Sequence, residues 1–140
     1  FTEFEYDKIP VVDLVNKMIN DAVEKRASDM HFDPTPDVLN VRIRVDGDLI
    51  LYAKVPASVK KNLATRIKII SGMNITETRL PQDGAIKMTH NDAPLDMRVS
   101  ALPIVDGEKI VIRILDYSRS LAGLDTIGRR FESYIRRHLC

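Results

Sequence analysis

With 21 basic and 20 acidic side chains in 140 residues, the formal net charge is +1, which excludes a general attraction to nucleic acid or anionic lipid and confines any anion site to a local cluster. A hydrophobic content of 44% beside 29% charged residues belongs to one globular domain with a core, not to a disordered chain. The apolar runs fall far short of the roughly 20 residues that span a bilayer, and the acidic start Phe1-Thr2-Glu3-Phe4-Glu5 is unlike a signal peptide, so a cytoplasmic protein without direct membrane insertion is expected. The single cysteine, Cys140, cannot form an internal disulfide, and its terminal position argues against a catalytic role.

Residues 1–10 mix aromatic, acidic and proline residues without a period and read as a linker from a preceding region. Val11, Leu14, Val15, Met18, Ala22 and Val23 then recur at three- and four-residue steps, which predicts an amphipathic helix over about 11–26. A short strand, Met30 to Asp33, is ended by Pro34 and Pro36. Val41, Ile43 and Val45 alternate with Arg42, Arg44 and Asp46, and Asp46-Gly47 supplies a tight hairpin turn before Leu49 to Lys54 returns. A second helix is expected over about 57–72, with Val59, Leu63, Ile67 and Ile70 inward, Gly72 at its end, and Lys60, Lys61, Arg66 and Lys68 on a solvated face.

Arg79 to Gly84 reads as a proline-containing turn, with Asp83-Gly84 as turn chemistry, followed by strands near 84–89, 94–102 and 108–115. In the middle strand Leu95, Met97, Val99 and Ala101 oppose Asp96, Arg98 and Ser100, and the last strand, apolar on both sides, is expected to be covered on both. The sum is an α+β domain: an antiparallel sheet of five or six strands with two helices on its apolar face. Residues 128–140 predict a further short helix with Phe131, Ile135 and Leu139 on one side.

Arg42, Arg44, Arg98 and Arg113 fall opposite the apolar stripes. A guanidinium fork suits carboxylate or phosphate in two-point geometry. Two readings stay open from the residues alone: ion pairs with Asp29, Asp46, Asp48, Asp96 and Glu108, or an anion site. His31 beside Asp29 and Asp33 has no third ligand at a compelling spacing, and no metal site is expected; a strand histidine held by hydrogen bonds is the reading preferred. Glu108 has no nucleophile or oxyanion donor nearby in sequence and reads as structural. The absence of interleaved aromatics among the arginines argues against a nucleic-acid partner.

Five motifs occur in order: Ser28-Asp29-Met30-His31-Phe32-Asp33-Pro34, Val41-Arg42-Ile43-Arg44-Val45-Asp46-Gly47, Arg79-Leu80-Pro81-Gln82-Asp83-Gly84, Leu95-Asp96-Met97-Arg98-Val99-Ser100 and the run Gly107 to Leu115. Their order and spacing resemble the region ahead of the phosphate-binding loop in type II secretion and type IV pilus assembly ATPases. The resemblance implies a PAS-like pre-motor domain over 11–116, an interdomain connector over 117–127 and the truncated start of a RecA-like motor domain over 128–140. It further implies that Arg98 and Arg113 approach the nucleotide phosphates, in trans or on domain closure, and that the apolar connector residues Leu124 and Ile127 pass near the base, against the plainer reading of hinge packing. Arg79, Gln82 and Asp83 are expected to serve the sheet edge or an interface. Family members commonly continue that motif with arginine, where this chain has Ala85.

No G-x-x-x-x-G-K-[ST] occurs among the six glycines, so the chain is expected not to hydrolyse ATP by itself. ATP and magnesium, a ring of six identical subunits, and recruitment to the inner membrane by platform proteins are implied for the intact ATPase. A module that binds a small anionic ligand or signalling nucleotide is the alternative.

Overall fold

A computed structural model of the protein describes residues 2–115. Its elements are α1 (Val11–Glu24), β1 (Asp29–Pro34), β2 (Val38–Val45), β3 (Asp48–Pro56), α2 (Ala57–Ile70), β4 (Gln82–His90), β5 (Ala93–Ile104) and β6 (Gly107–Leu115). All strand pairings are antiparallel, in one six-stranded sheet of order β3-β2-β1-β6-β5-β4. The α+β class, the two helices and the six strands agree with the sequence reading. The predicted helix over 128–140 and the connector, with Leu124 and Ile127, lie outside the described residues.

One sheet face carries the core. Met30, Phe32, Val41, Ile43, Met97, Val99, Ile110 and Ile112 are buried there against Leu14, Met18 and Ile19 of α1 and Leu63 and Ile67 of α2. The alternation seen in the sequence therefore sets the register, because a one-residue slip would carry the apolar set to water. The second face of β6 is not covered among the described residues: Val111 is half-buried and Arg113 exposed.

The turns follow their residues. Asp46 and Gly47 both adopt positive φ, 53° and 84°, the pairing that joins twisted strands through a two-residue loop. Asn91 and Asp92 do the same at 51° and 64° between β4 and β5. His90, just ahead of that turn, places Nδ1 2.8 Å from Asn20 Oδ1 and Nε2 3.0 Å from Glu24 Oε1, tying the end of β4 to α1.

Two features add to the sequence reading and a third corrects it. First, residues 2–9 lie against the domain. Phe4, Tyr6 and Ile9 pack on the core, the Phe4 ring meets Tyr6 and Tyr52 at centroid distances of 5.8 and 6.1 Å, and the Thr2 N–H donates to the Tyr52 carbonyl at 2.6 Å.

Second, β3 carries a bulge. Val41 pairs with Ala53 but Arg42 pairs with Leu51, so Tyr52 is an extra residue and both Tyr52 and Ala53 turn inward, as a bulge requires. The Tyr52 hydroxyl donates to Asp21 of α1. Burial, followed by that hydrogen bond, the Asp21 charge and Tyr6, raises the phenol well above its ordinary 10.0. Because the folded state prefers the protonated phenol, this contribution is complete below pH about 10 and is lost as pH rises beyond it. Tyr52→Phe should lower stability at neutral pH by about 1–2 kcal/mol in urea unfolding, and the difference from the parent should shrink above pH about 10. A constant difference across that range would show that the hydroxyl does not couple to folding.

Third, Lys68 is not on a solvated face. It is 2% exposed, and its Nζ donates to the Glu77 carbonyl at 2.7 Å and to both Glu108 carboxylate oxygens at 2.9 and 3.1 Å. Glu108 is accordingly structural: it ties β6 to α2 and, through Lys68, to the loop ahead of β4.

Candidate anion site on the open sheet face

The face of the sheet away from the helices carries two cross-strand rows. Register places Arg44, Asp29, Arg113, Arg98 and Ala85 side by side across β2, β1, β6, β5 and β4. The next row is Arg42, His31, Val111, Ser100 and Asp83. Directly opposed residues on one face lie about 4.5–5.5 Å apart at Cβ, within reach of one another's side chains.

The four arginines differ in how they are compensated. Arg42 Nη1 donates to Asp33 Oδ2 at 3.0 Å. Arg44 Nη1 donates to the Gly47 carbonyl at 2.9 Å, and its Nε lies 3.6 Å from Asp29 Oδ2. Both are structural pairs of the kind the sequence allowed, although Asp33 takes the part expected of Asp46 or Asp48. Glu108, another expected partner, belongs to Lys68.

Arg98 and Arg113 stand apart. They are direct cross-strand partners, and like charges in that relation repel. Arg98 is 61% exposed and meets Asp96 only at 3.8 Å, a surface contact of small energetic value. Arg113 is exposed and has no ion pair among the described residues. Two adjacent guanidinium forks without a firm carboxylate suit an anion with several oxygens, such as a phosphate chain. Ala85 ends the same row, so no third guanidinium stands beside Arg98.

Asp29, between Arg44 and Arg113, is buried. Its Oδ1 accepts from Ser28 Oγ at 2.7 Å and its Oδ2 from His31 Nε2. Burial alone would raise its pKa, but the hydrogen bonds from Ser28 and His31 and the charges of His31 and Arg44 outweigh it and hold the carboxyl below its ordinary value. The histidine is held by hydrogen bonding, as its strand position suggested. Among the described residues no three His, Cys, Asp or Glu side chains are grouped to hold a metal.

The Arg79 to Gly84 segment does not form a turn at Asp83-Gly84; β4 already begins at Gln82. Gln82 Oε1 accepts the Asn74 N–H at 2.9 Å while its Nε2 donates to the carbonyls of Asn74 and Glu77 at 3.0 and 3.1 Å. The Arg79 N–H donates to Glu77 Oε2 at 2.8 Å, and the Arg79 and Asp83 side chains are exposed. Gln82 thus ties the start of the edge strand β4 to the preceding loop, and the three residues are not gathered with Arg98 and Arg113, apart from Asp83 in the neighbouring row. A cleft of about 450 Å³ lined by Lys60, Lys61, Ile75, Ile104 and Val105 opens elsewhere, and none of the four arginines borders it.

Residues 5–136 match the family described as Type II/IV secretion system protein. The chain belongs to this family. Among its relatives are the Type IV pilus assembly ATPase PilB of Acinetobacter baylyi, 45% identical over 123 residues covering 87% of this chain and 21% of that protein, and the Type II secretion system protein E of Xanthomonas campestris, 48% identical over 107 residues, 76% of this chain and 19% of that one. The chain thus spans about a fifth of the length of these relatives. The fold recurs in the Legionella pneumophila ATPase DotB with a TM-score of 0.57 at 19% identity, covering 82% of this chain and 31% of DotB. Family members therefore include secretion and pilus assembly ATPases. No helix among the described residues is long and apolar enough to cross a membrane.

Proposed function

We propose that this chain is the pre-motor domain of a hexameric secretion or pilus assembly ATPase and that Arg98 and Arg113 act at the ATP site. The observation that carries the reading is the exposed, mutually opposed pair of guanidinium groups, each without a firm ion pair among the described residues, in a sheet whose other two row arginines are committed. Leaving two like charges opposed costs stability, and an anion arriving from a facing domain relieves it. The terminal phosphates of ATP have the charge and oxygen geometry to do so, and a cation placed there stabilises the transition state of phosphoryl transfer.

The phosphate-binding loop and the magnesium ligands would come from a motor domain, because this sequence has no such loop. Closure of the domain over bound ATP would couple nucleotide occupancy to movement, with Leu124 and Ile127 passing near the base. Arg79, Gln82 and Asp83 would shape an edge that meets another domain or subunit. The machine would sit in the cytoplasm, held at the inner membrane by platform proteins.

The test is a chimera in which this chain replaces the matching segment of the Acinetobacter baylyi ATPase. Arg98→Ala and Arg113→Ala should each lower ATP turnover by about 10²-fold or more while folding and oligomer assembly persist. Unchanged turnover in both would sink the reading. Tight binding of a small anion by the isolated 140-residue chain, together with that unchanged turnover, would favour the alternative of a ligand-binding module.

A further inference from the structure

Asp29 is the neighbour of Arg113 in register as much as of Arg44, and a carboxylate beside a guanidinium ordinarily forms a two-point pair. Here it does not. Ser28 Oγ occupies one oxygen, the other accepts from His31 and faces Arg44 Nε, and no contact runs to Arg113. The other charged groups on this part of the face are Asp33 of β1, Arg42 of β2, Asp83 and Lys87 of the edge strand β4, Asp96 and Arg98 of β5 and Lys109 of β6. Asp33 is engaged by Arg42 and Lys109 at 3.0 and 3.3 Å, and Asp96 lies beside Arg98. Asp29 is therefore the carboxylate whose orientation decides whether Arg113 is neutralised from within the sheet.

We propose that Ser28 and His31 are positioning residues that turn Asp29 away from Arg113, keeping the Arg98 and Arg113 pair open to phosphate oxygens. The inference rests on the phosphate reading of that pair. His31 draws the carboxylate along its own strand, and Arg44 holds it from the β2 side. Without the imidazole, the nearest unsatisfied cation for Asp29 is Arg113, one strand away, and an internal carboxylate would compete with any incoming anion. Asp29 thus acts as a switchable counter-ion, parked by its two neighbours.

The 140-residue chain allows a direct test by NMR, following the Arg113 guanidinium Nε–H signal and titrating with inorganic tripolyphosphate, which has the charge of a nucleotide tail but no base. In His31→Ala the Arg113 signal should shift and sharpen as Asp29 pairs with it, and tripolyphosphate affinity should fall about tenfold. Asp29→Asn in the His31→Ala background should restore affinity at least to that of the parent. His31→Gln, which keeps an N–H donor, should stay close to the parent, and Ser28→Ala should move in the direction of His31→Ala by a smaller amount. An Arg113 signal unmoved in both His31→Ala and Ser28→Ala, or an affinity loss that Asp29→Asn fails to reverse, overturns the positioning role. Tripolyphosphate binding that ignores Arg98→Ala and Arg113→Ala in the parent instead overturns the phosphate reading, and with it the purpose assigned to Asp29, while the guanidinium signal still reports where Asp29 points.

Discussion

Replacing Lys68 by methionine is expected to lower folding stability by about 3–5 kcal/mol, the cost of leaving a buried charge without its partner. Methionine matches the length of the lysine stem, so the loss is not one of packing. What disappears is the set of three acceptors on Nζ: both oxygens of Glu108 and the Glu77 carbonyl. Glu108 has a side chain only 11% exposed and would be stranded. The loop ahead of β4 would also lose an anchor. Urea unfolding of the single variant and of the Lys68→Met, Glu108→Leu double variant separates the causes. A well-packed apolar replacement of both partners is often neutral or stabilising, so the double variant should recover most of the loss. A double variant as unstable as the single one would show that the pair is needed for more than mutual neutralisation.

Gly84→Ala is expected to cost about 3 kcal/mol or more, although alanine is ordinarily the milder residue in a strand. A Cβ at position 84 would stand 2.3 Å from the Ser71 carbonyl oxygen and 3.1 Å from the Ser71 Cβ. No rotamer change relieves a backbone contact. Either β4 moves away from the end of α2, or the Ala85 N–H loses its 3.1 Å hydrogen bond to Ser71. Gly47 offers the control. It has positive φ, but a Cβ added there would meet nothing within 4 Å, so Gly47→Asn should change stability by less than about 1 kcal/mol. If both variants unfold at the same denaturant concentration, the close approach at Ser71 is not what Gly84 provides.

The periodic elements were legible because their residues obey one rule at a time. Leu14, Val15 and Met18 show the helical step, and Leu95, Met97, Val99 and Ala101 the strand step, and each set is buried. Asp46-Gly47 announced its own turn. The misreadings occurred where tertiary contact overrides local chemistry. Lysine on a helix is ordinarily solvated, and only the arrival of Glu108, 40 residues later, makes Lys68 internal. Asp83-Gly84 carries the residues of a turn, yet the glycine serves an approach to Ser71. Tyr52 turns inward through a bulge that no alternation pattern encodes, although the consecutive run Leu49, Ile50, Leu51 and Tyr52 was a sign that strict alternation would fail.

The arginine site was partly legible. The sequence put Arg98 and Arg113 on the polar face, and the resemblance singled them out. That they are direct neighbours depends on the β5 to β6 register, which the short turn at Val105-Asp106 permits but does not by itself fix. That Asp29 lies next to Arg113 was hidden, because strands 84 residues apart at that point share no local signal.

The sheet is two successive three-stranded meanders, each entered from a helix, and they touch as a sheet only where β1 meets β6. Hairpins within each meander close over a few residues, whereas the seam joins positions roughly 80 residues apart and carries the larger loop-closure entropy. Arg44 and Asp29 belong to the first meander, Arg98 and Arg113 to the second. A chain in which both meanders had formed but not zipped together would already hold the Arg98 and Arg113 pair in one and the Arg44 and Asp29 pair in the other; closing the seam is what sets a carboxylate beside the two opposed guanidinium groups, and opening it would take that carboxylate away while leaving the arginines together.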